Sequence, residues 1–86
     1  MDIEFDTAKD VANIAKHGVS LARAIELDVL TIKADTRQEY GEARFQAFGL
    51  LDGLPHCLSF TMRGAVIRAI SLRRTHRKEY RRHVAP

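Results

Sequence analysis

The sequence predicts one α+β domain, in which two short helices pack on a mainly antiparallel, curved sheet and a basic helix comes last, in the order βααββββα. Three observations carry this expectation. Much of the second half alternates between two sets of side chains, as strands with two different faces do. Asp52-Gly53 and Arg63-Gly64 are turn signals that divide those runs at hairpin spacing. Residues 7–17 instead repeat their apolar groups three and four apart, which is helical spacing.

In chain order, Ile3 and Phe5 alternate with Asp2, Glu4 and Asp6, giving a short opening strand with one apolar face. Asp6 can cap a helix from Thr7 to about His17, because its carboxylate accepts amide protons that the first turn leaves free. Ala8, Val11, Ala12 and Ala15 share one side of that helix, with Ile14 at the margin, and this side is expected to face the core. Lys9, Asp10, Asn13 and Lys16 lie away from it. Gly18 stops the helix, since glycine reaches the left-handed conformation of a C-cap, and Lys16 and His17 suit the negative end of the helix dipole.

Ser20 then caps a second short helix through Leu21, Ala24, Ile25 and Leu27. Val29–Lys33 is β-branched enough for a strand, and Ala34 to Gly41 form a polar loop long enough to border a site. Arg44–Leu51 is the next strand. Leu54 to Met62 returns, with His56, Leu58, Phe60 and Met62 on one face and Cys57, Ser59 and Thr61 on the other; Pro55, lacking an amide proton, belongs at its start or on an edge. In Val66–Arg73, alternation puts Arg68, Ile70 and Leu72 on one side and Ile67, Ala69 and Ser71 on the other. Thr75 is expected to cap a final helix that carries His76, Arg77, Lys78, Arg81 and Arg82.

With 86 residues the chain is a single domain, 1–86, whose 45% hydrophobic content is adequate for a small core. Cys57 is its one cysteine, so an internal disulfide and a zinc-finger ligand set are both excluded. No apolar run approaches the roughly 20 residues of a membrane span and no signal-peptide pattern opens the chain, so a cytoplasmic protein is expected. The charge is lopsided. Residues 1–42 hold nine acids and five bases, whereas residues 43–86 hold nine bases, eight of them Arg, and two acids. Such a half points to nucleic acid, and Arg suits it because its planar fork grips phosphate in a bidentate way.

His17, His56, His76 and His83 are scattered, so no metal or other cofactor is expected, and neither a nucleophile elbow nor a Gly-rich phosphate loop is present. What remains is a constellation suited to RNA cleavage: a base for the 2′-hydroxyl proton, cations for the charged phosphorane and an acid for the 5′-oxygen. Glu42 and Arg44 would share one face of a strand, as a base beside a phosphate clamp or as an exposed ion pair worth about 0.2–1 kcal/mol. Arg68 interrupts an apolar strand and needs a partner if buried. His17 could titrate near neutral pH or simply complete its helix.

Phe5-Asp6-x-x-Lys9 followed by Asn13-x-x-Lys16-His17-Gly18-Val19 resembles the opening signature of the BrnT toxins of type II toxin–antitoxin modules. The likeness continues through Gly41-Glu42-x-Arg44-Phe45 to Ile67-Arg68-x-Ile70-Ser71-x-Arg73-Arg74 and Glu79-Tyr80, in family order and over nearly the whole chain. Phe5 stands where the family usually has Trp, and Leu21 where it usually has Phe.

The resemblance implies a small ribonuclease of RelE-like fold, a compact antiparallel sheet with helices on one side. It also implies a ribbon–helix–helix antitoxin whose dimer brings two toxin copies together and through which alone the toxin meets DNA. Its active-site candidates are Glu42, Arg44, Arg68 and Arg73, joined by Lys16 and His17; the distribution of charge adds Arg74, Arg77, Lys78, Arg81 and Arg82 as the residues expected to bind flanking RNA. A rival of another class is a non-catalytic nucleic-acid-binding regulator that uses the basic helix, and a third is a protein-interaction adaptor.

Overall fold

The computed structural model describes residues 2–84. Asp6 opens α1 (Thr7–His17) by accepting the amide protons of Ala8 and Lys9, and Gly18 closes it at φ 73°. Ser20 caps the next element, a 3₁₀ helix at Leu21–Glu26. Its Oγ accepts from the Ala22 amide and donates to Asp10, which also takes the Leu21 amide and so fastens the 3₁₀ helix to α1. Leu21, Ala24 and Leu27 turn inward, but Ile25 is exposed.

The strands are β1 (Ile3–Glu4), β2 (Asp28–Ala34), β3 (Phe45–Leu51), β4 (Leu54–Arg63) and β5 (Val66–Arg74). They form one sheet in the order β1-β5-β4-β3-β2, antiparallel except where β1 runs alongside β5. Asp52 and Gly53 both have positive φ, 53° and 74°, which is the mirror-image turn that a two-residue hairpin favours. A bulge in β2 between Val29 and Thr31 brings the Asp28 carbonyl onto Gly49, where an added Cβ would collide with the Asp28 oxygen. Only glycine fits there.

One face of the sheet carries Phe45, Ala47, Leu51, Leu58, Phe60, Ala69 and Leu72 against Leu21, Ala24 and Leu27, and this is the core. The last helix, α2 (Arg77–Val84), lies on the opposite face, where the His83 ring stacks on Phe48 with centroids 4.3 Å apart. The expectation of helices on one side is therefore not met. Phe48 and Cys57 are buried on this second face, and burial pushes the Cys57 thiol up to about 11, so it stays protonated. Thr75 does not cap α2. It is buried, its hydroxyl has no hydrogen-bond partner, and the His76 carbonyl begins the helix by accepting the Tyr80 amide proton.

The face that α1 presents is the reverse of the one expected. Val11 is 64% exposed and Ile14 46%, whereas Asn13 is buried. The reason is the edge of β5. β1 covers that edge only at Ile67 and Arg68, so farther along the backbone of Leu72 needs a partner. Asn13 supplies it: its Nδ2 donates to the Leu72 carbonyl at 2.9 Å and its Oδ1 accepts the Leu72 amide proton at 3.1 Å. The second Nδ2 proton goes to the Val19 carbonyl at 2.8 Å. A side-chain amide thus replaces one peptide of a neighbouring strand, and this pairing outweighs burial of two aliphatic side chains.

Candidate active site

β5 does not alternate throughout. Ser71 pairs with Ser59 and Ala69 with Phe60, so Ile70 is left as a bulge without a partner of its own. The extra residue has two effects. Ala69 and Leu72 both face the core, and Arg68 (opposite Thr61) and Arg73 (opposite Cys57) come to lie on the same face as Ser71. Strict alternation would have separated these arginines, because they are an odd number of residues apart. Arg44, just ahead of β3, joins this face near Thr61, whose hydroxyl donates to the Ala43 carbonyl at 2.7 Å. Two strand spacings, about 10 Å, separate Arg44 from Arg68 across the sheet. The result is a polar floor of Arg44, Gln46, Ser59, Thr61, Arg68, Ser71 and Arg73.

Arg68 and Arg73 are each held by a carboxylate from elsewhere in the chain, and Arg44 is not. Arg68 reaches Glu4 at 3.2 Å, and this ion pair is only partly open to solvent. Arg73 makes a bidentate pair with Glu79 of α2, at 3.0 and 2.8 Å, which holds the Glu79 carboxyl below its ordinary range. Arg44 and Glu42 are 3.7 Å apart, too far for a hydrogen bond, and the buried Nε of Arg44 has no acceptor. Instead the Arg44 guanidinium lies over the Tyr40 ring, 4.1 Å from its centroid. Neither Glu42 nor Arg44 is on a strand; β3 starts at Phe45. Glu4 and Tyr40 carried no catalytic signal in the sequence, since nothing local shows what faces them.

Lys16 and His17 lie at the other end of the floor. With Lys9, Asn13, Ile70 and Ser71 they line a cavity of about 250 Å³ between α1 and the bulge. His17 is lowered from the usual histidine value, first by burial and then by the positive charges of Lys16 and Arg73, which favours its neutral form. Arg74 does not join this group: it pairs with His56 and lies on the opposite side of β5 from Arg73. Arg77, Lys78, Arg81 and Arg82 are exposed on α2, while Glu79, Tyr80 and His83 are half-buried. Among the described residues no three His, Cys, Asp or Glu side chains converge as metal ligands would.

A family profile described as the ribonuclease toxin BrnT of type II toxin–antitoxin systems matches residues 5–79. The chain belongs to this family. No curated protein matches it. Membership of the BrnT family makes the chain a ribonuclease toxin of a toxin–antitoxin pair, with RNA as substrate and an antitoxin as partner. The BrnT match spans α1, the loop before β3 and all of β5, so every element of the polar floor lies within it. No helix among the described residues is long and apolar enough to cross a membrane.

Proposed function

We propose that this BrnT-family chain cleaves RNA by acid–base chemistry without a metal ion, on the polar face of its sheet. The observation that carries the reading is the Ile70 bulge, which brings Arg68 and Arg73 to one face beside His17, whose neutral form is favoured. In the proposed step His17 takes the proton of a ribose 2′-hydroxyl, and the freed oxygen attacks the adjacent phosphorus. The bond to the 5′-oxygen breaks, Lys16 protonates that oxygen, and a 2′,3′-cyclic phosphate remains. Arg44, Arg68 and Arg73 stabilise the charge that builds on the phosphorane, and Glu42 orients Arg44. Arg44 has the loosest carboxylate contact of the three, so its guanidinium is the freest to exchange a carboxylate for the phosphate. The exposed cations Arg77, Lys78, Arg81 and Arg82 hold flanking RNA, with Arg74 at the margin.

In the same proposal the protein acts in the cytoplasm, where it blocks translation and growth until a ribbon–helix–helix antitoxin dimer covers two toxin copies. Two surface features support a protein partner: the exposed cations of α2, which opposite charge would meet quickly, and the apolar side chains Val11 and Ile14 left in solvent. The test is cleavage of single-stranded RNA in excess EDTA, with ends that carry a cyclic or 3′-phosphate. Cleavage that starts only on adding Mg²⁺ or Mn²⁺ overturns the mechanism. Binding of DNA with RNA left intact favours the regulator reading.

A further inference from the structure

Residues 34–36 and 38–45, Glu42 and Arg44 among them, wall an open cavity of about 710 Å³, and the phosphate chemistry proposed above leaves the rest of its lining unused. Its platform is already built. The Tyr40 hydroxyl donates to Asp35 at 3.0 Å, and Asp35 is buried and gripped by Arg37 through Nε and Nη2, each at 2.8 Å. The ring therefore stands fixed with the Arg44 guanidinium against it. A planar group added to this stack would meet a surface that needs no ordering. Beside it stand Gln38, Glu39 and Glu42. Glu39 pairs with no cation among the described residues.

Carboxylates here repel a second phosphate and attract a neutral group rich in hydrogen-bond donors. Among the four RNA bases, guanine alone offers two adjacent donors on its pairing edge, N1–H and N2–H, which match the two oxygens of one carboxylate. Adenine and cytosine set an acceptor beside their amino group, and uracil flanks its one donor with two acceptors. We propose that this cavity is a subsite for an unpaired guanine, stacked on the Tyr40–Arg44 pair and read by Glu39, next to the phosphate that Arg44 receives. The inference rests on the ribonuclease reading and makes it selective.

Two experiments separate the subsite from the nuclease. In the first, short single-stranded RNAs differing at one nucleotide are cut by the native chain. Cleavage beside G is expected to exceed the other bases by about tenfold or more, the scale on which one bidentate hydrogen-bonded pair discriminates between bases. Glu39→Gln should erase most of that preference while cutting continues, and Tyr40→Phe, which keeps the ring under Arg44, should retain most of it. In the second, guanosine 3′-monophosphate is titrated against the other nucleotides by NMR, with Tyr80→Phe leaving Tyr40 as the only tyrosine. Its ring signals should move most with guanosine. RNA cutting with no base preference and no selective shift overturns the subsite and leaves the ribonuclease reading standing. A guanosine-selective shift in a chain that cuts no RNA does the reverse.

Discussion

Replacing Asn13 by Ala tests the contact that sets α1, and with it Lys16 and His17, against β5. The truncation removes three hydrogen bonds, to Val19 and to both backbone groups of Leu72. Leu72 is fully buried, so its N–H and C=O are left without partners away from solvent. An orphaned buried polar group costs about 1–3 kcal/mol, and water entering the vacated space offsets some of it. A destabilisation of about 3 kcal/mol is the reasonable centre. For a domain of this length the whole stability is on the order of 4–13 kcal/mol. A change of that size corresponds to a drop in Tm of about 12–24 °C. Thermal and urea melts measure it directly, and amide exchange at Leu72 reports the local site. Asn13→Asp keeps the size and the acceptor but turns an oxygen toward two carbonyls, and is expected to cost at least as much at pH 7. An Asn13→Ala chain that melts within about 4 °C of the native one, with Leu72 still protected, would show that something else positions α1.

Gly49→Ala is expected to destabilise by about 1–3 kcal/mol or more, because its Cβ meets the Asp28 backbone rather than a side chain that can move; an unchanged melt refutes the close approach. The folded state holds His17 below its ordinary value, so the unfolded chain takes up the proton first as pH falls. Stability from this group is therefore complete above about pH 6.5 and declines below it. His17→Gln should flatten part of that decline, and His83, lowered in the same direction by burial, should leave the rest. Arg44→Ala should slow RNA cleavage about a hundredfold with the fold retained; unchanged cleavage would return Arg44 and Glu42 to a surface ion pair. Changing Arg77, Lys78, Arg81 and Arg82 to Gln should reduce the log–log salt slope of RNA binding by about 0.7 for every phosphate that α2 no longer neutralises, and an unmoved slope would assign the helix another role.

Local chemistry was legible in the sequence because it acts over a few residues. Asp6 and Gly18 bound α1 as capping rules require, and Asp52-Gly53 turns one hairpin. The alternation of β4 is intact, so its two faces are the expected ones. The loop that follows Ala34 does wall a cavity, as a long polar loop between strands can. Family membership was legible for a related reason: short motifs at fixed spacing survive as text.

Tertiary structure alone decided which faces those elements show. The buried side of α1 depends on Asn13 meeting Leu72, 59 residues away, and a backbone that lacks a neighbouring strand has no mark in its own sequence. The bulge at Ile70 is a mismatch between two strands, so neither strand contains it by itself, yet it determines that Arg68 and Arg73 share a face. The carboxylates that hold these arginines come from β1 and α2, at opposite ends of the chain. Periodicity and capping fix what a segment becomes; pairing between distant segments fixes where its side chains go, and the chemistry of this floor depends on the second.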